Sequence, residues 1–299
     1  MDFVRRAANP WGEEVLLGLA WDVFWLVVVA GALFVVVHAI FKSRSRGSTR
    51  PPDLGAASGI PEKVVRHNLS ARVSHWVLAA ATFVLLITAF VPIFGLQFPW
   101  VTIHWIAGLV FGAYVVYHTI DTIGRKSLSS MWAGVQETVE SIGRAKEFFR
   151  EGGDPDERTP KWAFENKAFH QVTALAGLGV LGTGLLMFLR IDTYFWVANP
   201  YVLGLSDSMW GLVYLLHGFA AVGFVGLLIA HIYFAIRPDN LWITRSMFKG
   251  WITRDEFLQH HDPAQWNVSE NGEQVSAPVR QEAAAGAGPG AGAGHGGSE

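Results

Sequence analysis

Residues 215–235 read LLHGFAAVGFVGLLIAHIYFA, an apolar run that contains two histidines, His217 and His231. The two histidines are 14 residues apart, which is about 40° short of four full helical turns, so both lie on one face of a helix. Their separation along the helix axis is about 21 Å, most of the thickness of a bilayer's hydrocarbon core. The run therefore predicts a membrane-spanning helix with one imidazole towards each side of the membrane.

The rest of the chain repeats this apolar pattern. Of its 299 residues, 51% are hydrophobic and 16% are charged, whereas soluble domains carry about 25% charged residues. Apolar blocks of about 20 residues are long enough to cross a bilayer as helices. Five such blocks are present: residues 20–41, 71–94, 101–123, 164–190 and 209–236. The first is too long for a signal peptide and has no cleavage site after it, so we predict an all-α integral membrane protein with five spans.

The basic residues lie in alternate connections between these spans. Seven Lys and Arg residues lie between residues 41 and 72 and seven between residues 124 and 163, whereas residues 95–100 and 191–208 contain none. Short connections rich in Lys and Arg stay in the cytoplasm. The sequence therefore predicts an N-terminus outside the cell and a C-terminus in the cytoplasm.

The composition also divides the chain into three parts. Residues 1–64 hold the first span and a basic linker, residues 65–266 hold a four-helix domain with a cytoplasmic tail, and residues 267–299 end in a Gly/Ala-rich segment. Such a segment cannot bury enough apolar surface to fold, so we expect disorder there. Between the third and fourth spans, residues 131–151 are predicted to form an amphipathic cytoplasmic helix.

Histidines are the main titratable groups of the predicted spans. They are His38, His75, His104, His118, His170, His217 and His231. Ionisable side chains inside a membrane are costly and usually functional. The absence of Cys excludes thiolate-bound zinc and iron–sulfur clusters, and zinc or di-metal sites normally recruit carboxylates as well. Haem with two axial imidazoles needs one histidine from each of two helices, which this pattern favours.

The direction of each span assigns the histidines to two levels. His104 and His217 share the outer level and form one candidate pair of haem ligands. At the inner level, His231 has two candidate partners, His75 and His118. Spacing alone does not choose between them, since His104 and His118 are also 14 residues apart.

Short stretches around these histidines resemble a known family. They are RVSHW at 72–76, IH at 103–104 with Gly108, LLH at 215–217, HIYFA at 231–235, and MFKG at 247–250 leading to HHDPAQW at 260–266. Over residues 65–266 the chain resembles the di-haem cytochrome b (gamma) subunit of respiratory formate dehydrogenases. That subunit lies within a wider group of cytochromes b that includes cytochrome b561 and the hydrogenase and thiosulfate reductase subunits.

The resemblance implies a four-helix di-haem bundle, to which residues 20–41 add one N-terminal transmembrane helix. It implies that two b haems are bound, the inner one by His75 and His231 and the outer one by His104 and His217. This assignment leaves His118 as a helix-end imidazole near the cytoplasmic surface.

The resemblance further implies a quinone site beside the inner haem, at Asn166. His170, about one turn further along the helix, is expected either to assist the quinone or to form a hydrogen bond in the core. His38 is expected at the membrane interface, whereas His67, His260 and His261 lie outside the bilayer and are expected to contact solvent or a partner.

The function implied is that of a membrane-anchoring, non-catalytic subunit of a formate dehydrogenase-like complex. It carries electrons between the partner oxidoreductase and quinone, which is reduced at the anchor's own site. The implied partners are catalytic and iron–sulfur subunits, membrane lipid and quinone, with no nucleic acid, in the inner membrane of a prokaryotic cell. Two alternatives remain open at this point: a transporter that relays protons through its histidines, and a haem-free membrane anchor.

Overall fold

The computed structural model describes residues 3–44, 59–125, 129–151, 158–199, 201–269 and 271–273. Most of the predicted basic linker, residues 45–58, and the Gly/Ala-rich segment from residue 274 onwards lie outside the described residues. The division into three parts and the disorder of the C-terminal segment therefore stay predictions.

Helices account for most of the described chain. They are α1 (Trp21–Arg44), α2 (Leu69–Phe90), α3 (Trp100–Gly124), α4 (Val135–Glu151), α5 (Phe164–Phe188), α6 (Asp207–Ile236), α7 (Leu241–Lys249) and α8 (Arg254–His260). Helices α1, α2, α3, α5 and α6 are long and apolar enough to cross a membrane. The predicted all-α membrane fold with five spans is thus confirmed, and α4 covers most of the predicted amphipathic segment.

Local capping sets where these helices begin and end. The Asn68 side chain accepts a hydrogen bond from the Ala71 backbone N–H over 2.8 Å, and the Ser206 hydroxyl accepts one from Met209 over 3.3 Å. Such N-caps satisfy backbone donors that have no partner inside the helix. Because of the Ser206 cap, α6 begins at Asp207, two residues before the predicted span.

The helices pack as two antiparallel pairs, α2 with α3 and α5 with α6, and the main contact between the pairs joins α3 to α5. We call the end of the bundle where α2 and α5 begin the basic end, because the Lys- and Arg-rich connections lie there. The opposite end, with residues 95–99 and 189–206, is the aromatic end. Four helices thus enclose a shared interior that runs between the two ends.

Helix α1 packs along the outside of α6. Gly31 and Gly226 allow close approach, since an added Cβ would lie 3.0 Å from the Ile229 Cδ1 atom and 3.2 Å from the Val27 Cγ1 atom, respectively. The His38 Nδ1 atom also lies 2.9 Å from the Tyr233 Oη atom of α6. Small residues, the hydrogen bond between His38 and Tyr233 and the stacking of Phe24 on Phe90 of α2 therefore help to attach the additional helix to the bundle.

A β-hairpin that the sequence pattern does not predict precedes α1. Its strands, β1 (Val4–Ala8) and β2 (Glu14–Leu19), are antiparallel, and β2 packs against α6 near the aromatic end. Gly211 makes this contact feasible, because a Cβ there would lie 2.6 Å from the Leu16 Cβ atom.

A small second core lies at the basic end. Strands β3 (Lys63–Val65) and β4 (Trp251–Thr253) pair antiparallel and place Val64 opposite Ile252, and neither side chain is exposed. The other buried members of this core are Ile60, Phe257, Leu258 and Trp266. We call residues 60–67 and 251–268 the cap; it joins the segment before α2 to the segment after α7.

Candidate functional site: paired histidines inside the bundle

The histidine pair at the aromatic end joins α3 to α6. The ring centres of His104 and His217 are 6.3 Å apart, and their planes are inclined by 71°. Two imidazoles on opposite sides of one metal ion, each bound over about 2 Å, have ring centres about 6 Å apart. The spacing of this pair therefore suits a single iron atom between the rings.

Threonine hydroxyls determine the tautomer of both rings. The Nδ1 atom of His104 lies 2.7 Å from the Thr88 Oγ1 atom, and that of His217 lies 2.9 Å from the Thr183 Oγ1 atom. Each hydroxyl proton is already donated to a backbone carbonyl, at 2.8 Å for Thr88 and 2.6 Å for Thr183. The Nδ1–H groups must therefore donate to the threonines, which leaves both Nε2 lone pairs free for a metal.

Small residues of α5 shape the space beside this pair. A Cβ at Gly184 would lie 3.3 Å from the His217 Cε1 atom, which is closer than ordinary contact, whereas nothing lies within 4 Å of a Cβ at Gly182. The backbone of α5 thus approaches the His217 ring because residue 184 has no side chain. A flat macrocycle between helices needs such small neighbours.

The second pair lies at the basic end and joins α2 to α6. The ring centres of His75 and His231 are 6.1 Å apart, with planes inclined by 49°. Phe169 of α5 stacks on His231, with ring centres 5.4 Å apart. The spacing again suits one metal ion, but the buried His75 Nδ1 atom has no hydrogen-bond partner within the described residues.

An aromatic layer separates the two levels. Phe111 of α3 lies seven residues from His104, and Phe224 of α6 lies midway between His217 and His231. The ring centres of Phe111 and Phe224 are 6.4 Å apart, and both side chains belong to the buried core of the bundle. The site thus consists of two imidazole pairs with apolar packing between them.

A third pair of imidazoles lies at the basic end. The ring centres of His118 on α3 and His170 on α5 are 6.2 Å apart, so His118, which lies near the end of its helix as expected, also faces a second imidazole. In contrast, His231 lies next to His75. Of the two candidate partners of His231, His75 therefore lies beside it, whereas His118 lies beside His170. The ligand role of each histidine stays a prediction.

Asn166 lines a cavity of about 240 Å³ at the basic end. The other lining residues come from the cap and its surroundings: Arg66, Arg158, Thr159, Ala163, Trp242, Ile243, Gln259, His260 and His261. His170 does not line this cavity, since it faces His118. The structure therefore places the two predicted quinone-site residues on one helix but in different surroundings.

Arg66 and His261 form a buried pair beneath this cavity. Each is 3% exposed, and the Arg66 Nη1–H group donates to the His261 Nε2 atom over 2.7 Å. Burial lowers the pKa of Arg66 to about 10 and that of His261 to about 3, so Arg66 is charged and His261 is neutral at pH 7. The expectation that His261 contacts solvent or a partner is therefore wrong, because the cap encloses it.

Sequence reasoning missed Thr88 and Thr183. Both are single hydroxyl residues within otherwise apolar stretches, which is a weak signal. Their role depends on the packing of α2 against α3 and of α5 against α6, because Thr88 and Thr183 each contact a histidine on the other helix of their pair. No spacing rule within one helix connects them to His104 or His217.

Comparison with known proteins gives one family match. The sequence profile of one family, described as prokaryotic cytochrome b561, matches residues 66–250, which is more than half of the chain. A search of curated proteins finds no match. The matched region includes His75, His104, His217 and His231. The chain belongs to the prokaryotic cytochrome b561 family, and it is a multi-pass membrane protein of a family that binds haem b and transfers electrons.

Proposed function

We propose that this chain is the membrane-anchoring cytochrome b subunit of a respiratory oxidoreductase complex resembling formate dehydrogenase. It carries electrons between the partner enzyme and the quinone pool through two b haems. The observation that carries the proposal is the placement of two imidazole pairs at opposite ends of one bundle, each with ring centres about 6 Å apart. A bis-imidazole haem needs such a pair from two facing helices.

The chain's own residues supply the ligands and the surroundings. His104 and His217 hold one haem with their Nε2 atoms, and His75 and His231 hold the other. Bound haem iron supplies one-electron redox chemistry, while the protein supplies orientation and electrostatics. Phe111 and Phe224 keep water out of the space between the two levels. Thr88 and Thr183 keep the rings of the first pair in the tautomer that binds metal.

The distribution of charge supports one orientation in the membrane. The Lys- and Arg-rich connections and the cap lie at the basic end, which the positive-inside rule assigns to the cytoplasm. The N-terminus and the pair formed by His104 and His217 then lie on the outer side. A partner with catalytic and iron–sulfur subunits on that side is closest to this pair.

We place quinone reduction at the basic end. The side-chain amide of Asn166 donates to a carbonyl oxygen of the quinone, and His170 lies about one turn further along α5. Phe169, between these residues in sequence, stacks on His231. This contact favours a quinone site close to the pair formed by His75 and His231. The cavity that Asn166 lines lies at the basic end, which is the side from which protons would be taken.

The proposal is tested by counting haem. The chain is purified in detergent, and its dithionite-reduced minus oxidised spectrum is recorded together with the haem content per polypeptide. We expect two low-spin b haems. His217→Ala should lose the haem at the aromatic end, and His75→Ala should lose the haem at the basic end, so that each variant keeps one.

His38→Ala is the matched control, because His38 is also an intramembrane histidine but contacts Tyr233 instead of another imidazole. It should retain both haems. Absence of haem from chains made in haem-producing cells would contradict the proposal and favour a proton-relay transporter or a haem-free anchor. Retention of both haems by His217→Ala would contradict the ligand assignment.

A further inference from the structure

His118 and His170 form an imidazole pair that the two haems do not use. Each lies six residues from the end of its helix at the basic end, which is a depth of about 9 Å. His75 and His231 lie at nearly the same depth, six and five residues from their helix ends. Four imidazoles therefore occupy one layer of the bundle, and a single haem requires only two of them.

The gap between the two rings is wider than a direct contact. A direct N–H···N hydrogen bond of about 3 Å would place two imidazole ring centres about 5 Å apart, whereas these centres are 6.2 Å apart. Neither ring forms a hydrogen bond with another described residue. This spacing nearly equals that of the two pairs assigned to iron, so it leaves room for one atom between the rings, each of which can donate or accept a proton.

The charged side chains around this layer already have partners. On α5, the Lys167 Nζ atom donates to Glu137 of α4 over 2.9 Å. On α3, Asp121 accepts from Arg125 over 2.9 Å and from Ser70 of α2 over 3.0 Å. The Tyr117 hydroxyl is paired with Ser70, and His38 of α1 is paired with Tyr233. The other two imidazoles of the four-helix bundle at this level are His75 and His231, which we assign to iron. His118 and His170 are therefore the two imidazoles at this level of the four-helix bundle that are not assigned to iron, and an imidazole can both donate and accept a proton.

Helix geometry connects this pair to the cavity. Asn166 and His170 are four residues apart, so they share one face of α5 and are separated by about 6 Å along its axis. Asn166 lines the cavity, together with Thr159 and His260. The cavity thus begins about one helical turn from His170, although His170 does not line it. His118 lies across from His170.

We propose that His118 and His170 are the proton-exchanging residues of the quinone site. Reduction of the quinone takes up two electrons, which come from the partner through the haems, and two protons. The protonated pair donates one proton to the quinone oxygen that it faces, and water supplies the second proton to the other oxygen, so that both hydroxyl groups of the quinol form; water from the basic end then returns a proton to the pair. This inference rests on the proposed function and adds His118 to its site.

The test follows the reverse reaction in the purified haem-loaded chain. Duroquinol or menadiol is mixed with the oxidised protein, and haem reduction is followed by stopped flow from pH 6 to pH 9. His118→Gln and His170→Gln keep a polar side chain but cannot accept the proton. We expect each to slow haem reduction by about 100-fold, the scale of general acid–base catalysis, and to flatten the pH profile. The double variant should be little slower than either single one, because the pair acts as a unit.

Haem content and the dithionite-reduced spectrum separate the outcomes. Both should be unchanged in His118→Gln and His170→Gln, and His38→Gln should react like the original chain. Two haems with unaltered rates and pH profiles in both variants would overturn this inference and leave the proposed function intact. Loss of a haem from either variant would also overturn it, since that residue would then be a ligand. A chain without haem would instead overturn the proposed function.

Discussion

Thr183 accepts a hydrogen bond from the Nδ1–H group of His217 over 2.9 Å. The direction of this bond is determined by a second one, in which the Thr183 hydroxyl donates to the Gly179 carbonyl oxygen over 2.6 Å. A threonine placed between a helix backbone and an imidazole thus controls which ring nitrogen is available to iron. The same arrangement occurs at Thr88 and His104.

Thr183→Val should weaken haem binding at the aromatic end. Loss of the acceptor makes the His217 ring less basic. Loss of a hydrogen bond to the ring nitrogen that does not bind the metal lowers metal affinity about 10- to 100-fold. A less basic imidazole also favours the reduced iron, so the midpoint potential of this haem should rise. The rate of haem transfer to apomyoglobin measures the weaker haem binding, and a redox titration measures the rise in midpoint potential.

Thr173→Val is the control for this prediction. Thr173 lies on the same helix, and its buried hydroxyl has no hydrogen-bond partner within the described residues. Its replacement by an isosteric valine should change neither haem transfer nor potential. Equal effects of the two substitutions would show that the Thr183 hydroxyl does not act on His217.

Substitutions at Gly184 should perturb the same haem in proportion to their size. Alanine at this position would bring a Cβ within 3.3 Å of the His217 Cε1 atom, so the ring must move by a few tenths of an ångström. We expect Gly184→Ala to shift one low-spin EPR signal and Gly184→Leu to remove it. At Gly182, where a Cβ meets open space, substitution by alanine or leucine should leave the EPR spectrum unchanged. A changed spectrum would show that the effect arises from altering helix α5 and not from contact with His217.

Stability of the cap should decrease in acid. Burial lowers the pKa of His261 from 6.5 to about 3, and burial also lowers that of His67 to about 3. As the pH falls below 6.5, the unfolded cap takes up protons that the folded cap does not bind, so the free energy of unfolding falls towards pH 3. Hydrogen exchange of residues 252–266 between pH 7.5 and 4.5 measures this change.

Replacement of His261 should reduce that pH dependence. His261→Gln retains an acceptor for the Arg66 guanidinium but does not titrate in this range. The opening of the cap should then change less between pH 7.5 and 4.5, with the remaining slope due to His67. An unchanged slope would contradict the role of His261.

The helical architecture could be predicted because a bilayer imposes a simple length rule. Each of the five spans is an apolar run long enough to cross it, and errors at the ends amount to a few residues, as where the Ser206 cap starts α6 early. The levels of His104 and His217 followed from the direction of their helices, and the structure brings these two rings together.

Contacts between helices could not be derived in the same way. The meeting of His118 with His170 depends on how α3 approaches α5, and the N-terminal hairpin depends on the space that Gly211 leaves on α6. His261 is buried because Trp162, Trp242 and Trp266 surround the adjacent Arg66 side chain. We expected His261 to be exposed because it lies in a predicted cytoplasmic segment. The aromatic residues around it form a buried core instead.

The cap has a consequence for the biosynthesis of this protein. The backbone N–H groups of Arg66 and His67 donate to the Gly250 carbonyl oxygen, and Trp76 donates to that of Met247. The start of α2 is therefore held by residues that the ribosome adds only after every span has been made. His75 therefore takes its final position only after residues 247–250 have been synthesised, and a haem bound there as proposed would be enclosed only after that point.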